Sequence, residues 1–174
     1  FEGDTKMSQT GAGSSIISSA GGTTDIFVAK YSNTGVCQWT KTLYYSYGQD
    51  QGNSIKVKAG YVYVTGKFTS NLLGANSVGA SDVYLTKINA SNGVDVWFKT
   101  FGGTMDDSGE IIDLDLNNNL LITGSFSSTM DCNSGAGTNI LTSNGNSDCF
   151  VAKYSQTGTF LSGMIHIGDK TIPA

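Results

Sequence analysis

The chain has 174 residues, a formal net charge of −4 and 14% charged side chains, while 39% of its residues are hydrophobic and 23 are glycine. This apolar content supports a core and excludes a disordered linker, and the lack of basic runs argues against a nucleic-acid partner. No apolar stretch approaches the roughly 20 residues that cross a bilayer as a helix, so we expect no membrane insertion.

In chain order, a glycine-, serine- and threonine-rich loop (4–24) precedes a strand (26–31), a tight turn (32–35) and a returning strand (37–45). Two further hairpins follow from alternating apolar residues: Ile55–Lys58 with Tyr61–Gly66 through Ala59–Gly60, and Ile111–Leu116 with Leu120–Gly124 through Asn117–Asn119. Alternation bounded by turn residues is typical of strands, and no amphipathic helix of useful length occurs.

One motif occurs three times, at 25–35, 82–93 and 148–158. Each copy runs from an aspartate through alternating apolar residues to a lysine and then a glycine turn, and the lysines lie 57 and then 66 residues apart. Trp39 and Trp97 follow the first two copies, whereas Ser162 stands at this place after the third. A repeat of this length indicates an array of similar supersecondary units.

Each cycle holds four short antiparallel strands, and a tandem four-stranded meander is the blade of a β-propeller. The sequence therefore predicts an all-β, β-propeller-like segment of about two and a half blades, too few to close a ring of 4 to 8. We expect one domain, in which 1–52 is the outer half of a blade with its preceding loop, and 53–108 and 109–174 are blades, the second with an irregular end.

The pattern Asp-x-Phe/Tyr-x-x-Lys-x-x-x-x-Gly-x-x-x-Trp, a glycine turn with Asp, Asp-x-x-x-Asn, and the hairpin strand 62–68 together resemble the bacterial β-propeller repeat often called SBBP. The resemblance covers essentially the whole chain. It implies a seven-bladed type of propeller in a secreted or cell-surface protein, used for display or binding and without a known catalytic site. Two departures are Ser162 in place of tryptophan and Ala59–Gly60 in place of the Asp-x-x-x-Asn turn.

Alternate connections of a meander fall on opposite edges of the sheet. The short turns therefore share one edge: 32–35, 59–60, 89–93, 117–119 and 155–158. The long loops share the other edge with the acidic connections: 4–24, 48–53, 67–81, 102–109 and 125–147. Because variable loops on a rigid scaffold usually carry binding, we expect any recognition surface on the long-loop edge.

Asp50, Asp106 and Asp107 occupy equivalent connections on that edge. One interpretation is a ring of carboxylates that binds a cation or sugar hydroxyls. The other, which we favour, is that these side chains cap backbone amides of glycine-rich turns.

Asp113, Asp115 and Asn117 alternate like the start of a calcium loop, which makes calcium the one cofactor to consider. The glycine at the sixth position and the glutamate at the twelfth position of such a loop are missing, so a strand entering an asparagine turn is the favoured interpretation.

Cys132 and Cys149 bracket one loop, and a disulfide between them would pin that loop to the next strand; two free thiols are the alternative. Asn89 begins the sequon Asn89-Ala90-Ser91 in a turn and is a candidate for glycosylation in a eukaryotic secretory host.

No catalytic motif occurs, so we expect no enzyme activity. The leading hypothesis is an extracellular or cell-surface structural and adhesive scaffold, whose partners are other copies of itself or neighbouring repeats of its parent protein. The alternative is a lectin-like module that binds surface glycans, or calcium and glycans, with the long-loop edge.

Overall fold

The computed structural model describes residues 4–7, 15–18, 24–43, 48–72 and 75–166. Every regular element in this part of the chain is a β-strand, and all strand pairs are antiparallel, which confirms the predicted all-β, antiparallel class. The strands in chain order are β1 (Asp4–Met7), β2 (Ser15–Ser18), β3 (Ile26–Tyr31), β4 (Cys37–Leu43), β5 (Gln51–Lys58), β6 (Tyr61–Phe68), β7 (Asn71–Leu72), β8 (Ala75–Asn76), β9 (Asp82–Asn89), β10 (Asp95–Gly103), β11 (Asp107–Leu114), β12 (Leu120–Phe126), β13 (Thr129–Asp131), β14 (Ile140–Thr142), β15 (Asp148–Tyr154) and β16 (Phe160–His166).

Three successive groups of strands form the body of the molecule, and we call them the first, second and third units. The first unit is the hairpin β3–β4, the second is the meander β5-β6-β9-β10, and the third is the meander β11-β12-β15-β16. The hairpin β13–β14 extends the second meander into a six-stranded sheet, because it pairs with the end of β10 through Gly102 and Gly103. The described sheets remain separate and do not close into a ring.

The long loops carry small hairpins, which the sequence analysis missed. The predicted long loops 4–24, 67–81 and 125–147 contain the strand pairs β1–β2, β7–β8 and β13–β14. These strands have only two to four residues each and lie among glycine, serine and asparagine. An alternation of apolar and polar residues over so few positions is too short to predict a strand.

The strands place the short turns at one end of the units and the long loops at the other, and we call these the turn end and the loop end. Glycine is required in the turns of the repeated motif because its φ is positive, at +79° for Gly35, +74° for Gly93 and +78° for Gly158. Asp115, at the start of the Asn117–Asn119 turn, accepts hydrogen bonds from the amides of Asn117 and Asn119.

The two inner strands of the second unit, β6 and β9, are buried on both faces. Val62, Val64 and Tyr84 pack into one apolar cluster with Ile26 and Val28 of the first unit. The intervening residues of the same strands, among them Tyr63, Val83 and Leu85, pack into a second cluster with the third unit. The units therefore stack face to face, and β9 is buried along nearly its whole length. In the third unit, by contrast, buried and half-buried residues alternate along β12, as expected for a sheet covered on one face.

Among the described residues, no helix has the length and apolar character needed to cross a membrane.

Candidate functional site

The surfaces between successive units hold most of the unusual chemistry, and we call them the first junction (first unit against second) and the second junction (second against third). At the turn end of the first junction, Lys30 Nζ donates to Ala90 O at 2.8 Å, and Trp39 Nε1 donates to the same oxygen at 3.1 Å. A lysine and a tryptophan that face each other across β3 and β4 thus grip one carbonyl in the turn of the next unit. Lys41 and Asp95 add an ion pair of 2.6 Å across this junction.

The second junction repeats this arrangement. Lys87 Nζ and Trp97 Nε1 donate to Gln156 O at 3.0 and 3.1 Å, and the two side chains again lie on paired residues of adjacent strands. The Lys87 ammonium also lies 3.9 Å from the centre of the Tyr61 ring, and burial lowers the pKa of Lys87. We call this pair of hydrogen bonds, from a lysine Nζ and a tryptophan Nε1 to one turn carbonyl of the next unit, the Lys–Trp clamp.

The glycine of the receiving turn is part of each clamp. A Cβ atom at Gly93 would lie 3.0 Å from the Trp39 ring, and one at Gly158 would lie 3.2 Å from the Trp97 ring, so the indoles pack flat on bare backbone. Gly158 is buried and Gly93 is half-buried beneath these rings. The equivalent Gly35 of the first unit is exposed, and no described atom would lie within 4 Å of its Cβ.

The third unit departs from the pattern. Lys153 is paired with Ser162 in the register of β15 and β16, so serine stands where the other units have tryptophan. The Lys153 ammonium turns to Asp115 of its own unit and forms an ion pair of 2.8 Å. The hydrogen bond from Lys153 is the largest cause of the lowered pKa of Asp115.

At the loop end of the second junction, two buried carboxyl groups flank the backbone of Gly102. A Cβ atom at this glycine would collide with Asp82 Oδ1 and lie 2.8 Å from Asp107 Oδ2. Asp107 accepts hydrogen bonds from the amides of Gly103 (2.5 Å) and Ser127 (3.4 Å), and Asp82 Oδ2 accepts one from Val78 (2.5 Å). Asp82 Oδ1 is buried and has no hydrogen-bond donor in good geometry among the described residues.

The pKa of Asp107 is raised to about 7, chiefly by burial and to a smaller extent by the negative charges of Asp82 and Asp106, while the two backbone amides act in the opposite direction. Burial also raises the pKa of Asp82. Only 1–2% of either side chain is exposed. Because both carboxyl oxygens approach Gly102 and the Asp82 charge raises the pKa of Asp107, a proton on Asp107 relieves the repulsion within the pair.

The first junction contains an equivalent pair, Asp25 and Asp50. Asp50 accepts a hydrogen bond from the Thr69 amide at 3.2 Å, and burial together with the Asp25 charge raises its pKa to about 7. The two pairs also have equivalent backbone hydrogen bonds: Asp50 N donates to Thr24 O in the first junction, and Asp107 N donates to Ser81 O in the second, both at 2.9 Å. Here the buried hydroxyl of Tyr84 lies nearby, and the Asp50 charge contributes to its raised pKa.

The three acidic residues predicted together, Asp50, Asp106 and Asp107, thus fall into two groups. Asp50 and Asp107 are buried and cap loop amides, whereas Asp106 is exposed and accepts a hydrogen bond from Ser81 Oγ at 3.0 Å. Asp106 and Asp107 line a polar cavity of about 340 Å³ at the loop end, together with Glu110, Lys67 and five serines. Its volume lies within the range of small-molecule sites, and hydroxyl and carboxyl groups dominate its wall.

The calcium candidates point to other partners. Asp113 forms an ion pair with Lys56 at 2.6 Å across the second junction, while Asp115 bonds Lys153 and caps the asparagine turn. Within the described residues, no three histidine, cysteine, aspartate or glutamate side chains come together as metal ligands.

Cys132 and Cys149 are not bridged in the structure, which has the two free thiols of the alternative interpretation. Cys132 is a buried free thiol in hydrogen-bond contact with Asn139, whereas Cys149 is a free thiol on the exposed face of β15. Burial raises the pKa of Cys132 to about 11. The candidate glycosylation residue Asn89 is half-buried, and its Oδ1 accepts hydrogen bonds from the amide and hydroxyl of Ser91.

Sequence reasoning missed the first member of each carboxyl pair. The sequence pattern places Asp25 and Asp82 at the start of the repeated strand, and Asp50 and Asp107 in separate acidic connections. The signal was present, since both sets recur with the same spacing of 57 residues as the lysines. Equal spacing shows that residues are equivalent, but only the stacking of the units shows which of them meet.

A scan against protein-family models found none that matches this chain. A search of the curated proteins found no similar sequence.

Proposed function

We propose that the chain is a run of β-propeller-type blades that acts as a non-enzymatic, extracellular structural and adhesive scaffold. The repeated motif resembles the SBBP repeat, and the stacking of its units supports the resemblance. Meanders joined by short turns, packed face to face through aromatic and aliphatic side chains, are the arrangement expected of neighbouring blades.

The observation that carries this proposal is the repetition of the junctions. Both are built from the Lys–Trp clamp on a turn carbonyl at one end and a buried carboxyl pair at the other. Elements that recur at every junction hold units together, so the proposed role of the repeated motif is to join this chain to further units of the same design. These units are neighbouring repeats of a parent protein or other copies of the chain.

The test is the state of association. Multi-angle light scattering and sedimentation equilibrium should show oligomers that grow with concentration and dissociate on dilution. A compact monomer at every concentration up to the solubility limit would contradict the assembly role. Fragments with further repeats on either side, if they gave a closed and stable particle, would assign the role to neighbouring repeats.

The polar cavity of the loop end favours a second candidate, a lectin-like module that binds surface glycans. Carboxyl and hydroxyl groups that line a concave surface can form several hydrogen bonds with a sugar, and Asp106 and Glu110 are exposed beside it.

A glycan array followed by calorimetry, with and without calcium, tests this candidate. Asp106→Asn should weaken any binding, because it removes a charged acceptor from the cavity wall. Lys153→Gln at the turn end of the third unit serves as the control. If Asp106→Asn bound the glycan as tightly as the unmodified chain does, the glycan would not bind in this cavity. If the array showed no binding, the lectin-like function would be rejected.

A further inference from the structure

The turn 32–35 of the first unit has the form of a clamp acceptor that no other described unit occupies. Gly35 has the positive φ of Gly93 and Gly158. Ser32 O accepts from the Gly35 amide at 3.0 Å, as Ser155 O accepts from Gly158 in the occupied turn. The side-chain bonds also match: Ser32 Oγ bonds Thr34 and Val36, as Ser155 Oγ bonds Thr157 and Thr159.

The difference between these turns lies in what covers them. Trp97 lies against Gly158, which is buried, while Asn33, Thr34 and Gly35 are all exposed. The carbonyl that corresponds to Gln156 O belongs to Asn33, and no described lysine or tryptophan donates to it. The first unit therefore presents bare turn backbone of the kind that its two neighbours bury beneath an indole.

We infer that the turn 32–35 is a docking surface for a β-hairpin that carries a lysine and a tryptophan on directly paired strands, supplied by another unit of this design. This inference rests on the proposed function and names the chemistry of the partner. The commitment to this occupant comes from the molecule itself, because the Lys30–Trp39 and Lys87–Trp97 pairs occupy turns of this form at both junctions.

The third unit is a poor occupant, and this makes the inference testable. Its hairpin has Ser162 at the tryptophan position, and its lysine is held by Asp115. A second copy of the chain can thus offer the turn of its neighbour only half a clamp. Partners that bind firmly should be repeats with the complete pair, and self-association of the chain through this surface should be weak.

The Ser162→Trp variant restores the missing half. Ser162 is exposed on β16, so the indole can be added without disturbing the core. Sedimentation equilibrium should show head-to-tail association at a concentration at least about tenfold lower than for the unmodified chain, since one buried indole contributes more than the 1.4 kcal/mol that corresponds to a factor of ten.

Matched variants then locate the contact. Gly35→Asn on the Ser162→Trp background keeps a residue that tolerates positive φ and puts a side chain where the ring must pack, so association should return to the level of the unmodified chain. Gly60→Asn is the control, because Gly60 also has positive φ (+80°), lies in a turn of the turn end, and has no described atom within 4 Å of its Cβ. It should leave the association of Ser162→Trp unchanged.

Circular dichroism should show the same strand content in all variants. Association of Ser162→Trp that is insensitive to Gly35→Asn, or no gain over the unmodified chain, would overturn the inference. These results are separable from the proposed function. If the unmodified chain assembles and Ser162→Trp does not change its association, the proposed assembly is retained and this docking surface is rejected. If the unmodified chain is monomeric and only Ser162→Trp associates, the docking surface is retained and assembly of the unmodified chain is rejected.

Discussion

The two ends of each junction bury opposite kinds of charge, a lysine ammonium at the turn end and carboxyl groups at the loop end. At the turn end, a lysine and an indole N–H converge on a carbonyl oxygen, so positive and partly positive donors meet an acceptor. At the loop end, two carboxyl groups are buried side by side, with backbone amides as their donors and no described cation against them. The turn end should stabilise the stack at any pH at which lysine is charged, while the stability of the loop end should depend on a proton.

The same contrast separates what repeats from what varies. The turn end has only short turns, of two to five residues, and carries the clamps that hold the stack together. The loop end has connections of different length, inserted hairpins, a polar cavity and raised carboxyl pKa values. Recognition or response to conditions is therefore more compatible with the loop end, as expected for loops on a rigid scaffold.

The largest effect should come from breaking the clamp. Trp97→Ala removes the ring that packs on Gly158 and the donor to Gln156 O, and we expect a loss of about 3 kcal/mol in the free energy of unfolding. Urea unfolding at pH 7 measures this loss. Val96→Ala at the neighbouring, exposed position should cost about 0.5 kcal/mol or less, and equal losses for the two variants would contradict a special role of the clamp.

A smaller effect should follow from pH. Asp50 and Asp107 keep their protons up to about pH 7 in the native state, whereas the unfolded chain releases them near pH 3.8. The native state therefore binds more protons between these values, and the free energy of unfolding must fall as the pH rises from about 4 to 7.

Each raised carboxyl can contribute at most about 1.4 kcal/mol per pH unit in this window. Because local relaxation and water entry reduce that value, we expect a total on the order of 2 kcal/mol between pH 5 and pH 8. Thermal unfolding at the two pH values measures the difference. Below pH 4 the trend should reverse, since the lowered pKa values of Asp113 and Asp115 mean that their ion pairs are lost there. A stability that rises steadily from pH 5 to pH 8 would contradict the buried pairs.

Asp107→Asn tests the loop end at a single residue. The amide has no charge to bury, and it can keep the acceptor for the Gly103 N–H at Oδ2 or the acceptor for the Ser127 N–H at Oδ1, but not both. We expect the loss of stability between pH 5 and pH 8 to be smaller by about 1 kcal/mol than in the unmodified chain, and thus a flatter pH profile. Asp106→Asn is the comparison variant: it removes only the smallest of the causes that raise the pKa of Asp107, so it should change the profile much less than Asp107→Asn does.

Much of the fold follows from local pattern. Alternating apolar residues and glycine turns specify hairpins such as β5–β6 and β9–β10, because both the strand period and the positive φ of the turn are properties of neighbouring residues. The hairpin β13–β14 could not be predicted in this way. Its strands have three residues each, and their pairing to each other and to Gly102 and Gly103 is set by tertiary contacts.

The site was less predictable for the same reason. The sequence shows that Trp39 follows the first copy of the motif, but its hydrogen-bond partner Ala90 lies 51 positions away in the next unit. The capping of loop amides by Asp50 and Asp107 agrees with the interpretation favoured from sequence, and their pairing with Asp25 and Asp82 required the stacked units. Cys132 and Cys149 bracket a loop in sequence, yet the first faces the core and the second faces outward.

The smallest effect concerns how firmly the loop end is packed, and its probe is thiol reactivity. Cys132 directly follows β13 in the inserted hairpin and is fully buried, and a Cβ atom at Gly163 of β16 would collide with its sulfur. Its raised pKa adds a second barrier, because the reactive species is the thiolate. A disulfide reagent at pH 8 should therefore modify Cys149 quickly and Cys132 only as fast as the loop end opens, with Cys149→Ser as the control that removes the fast phase. If Cys132 reacted as fast as Cys149 in the folded protein, the inserted hairpin would be loosely held, and the contrast between the ends would be one of rigidity as well as charge.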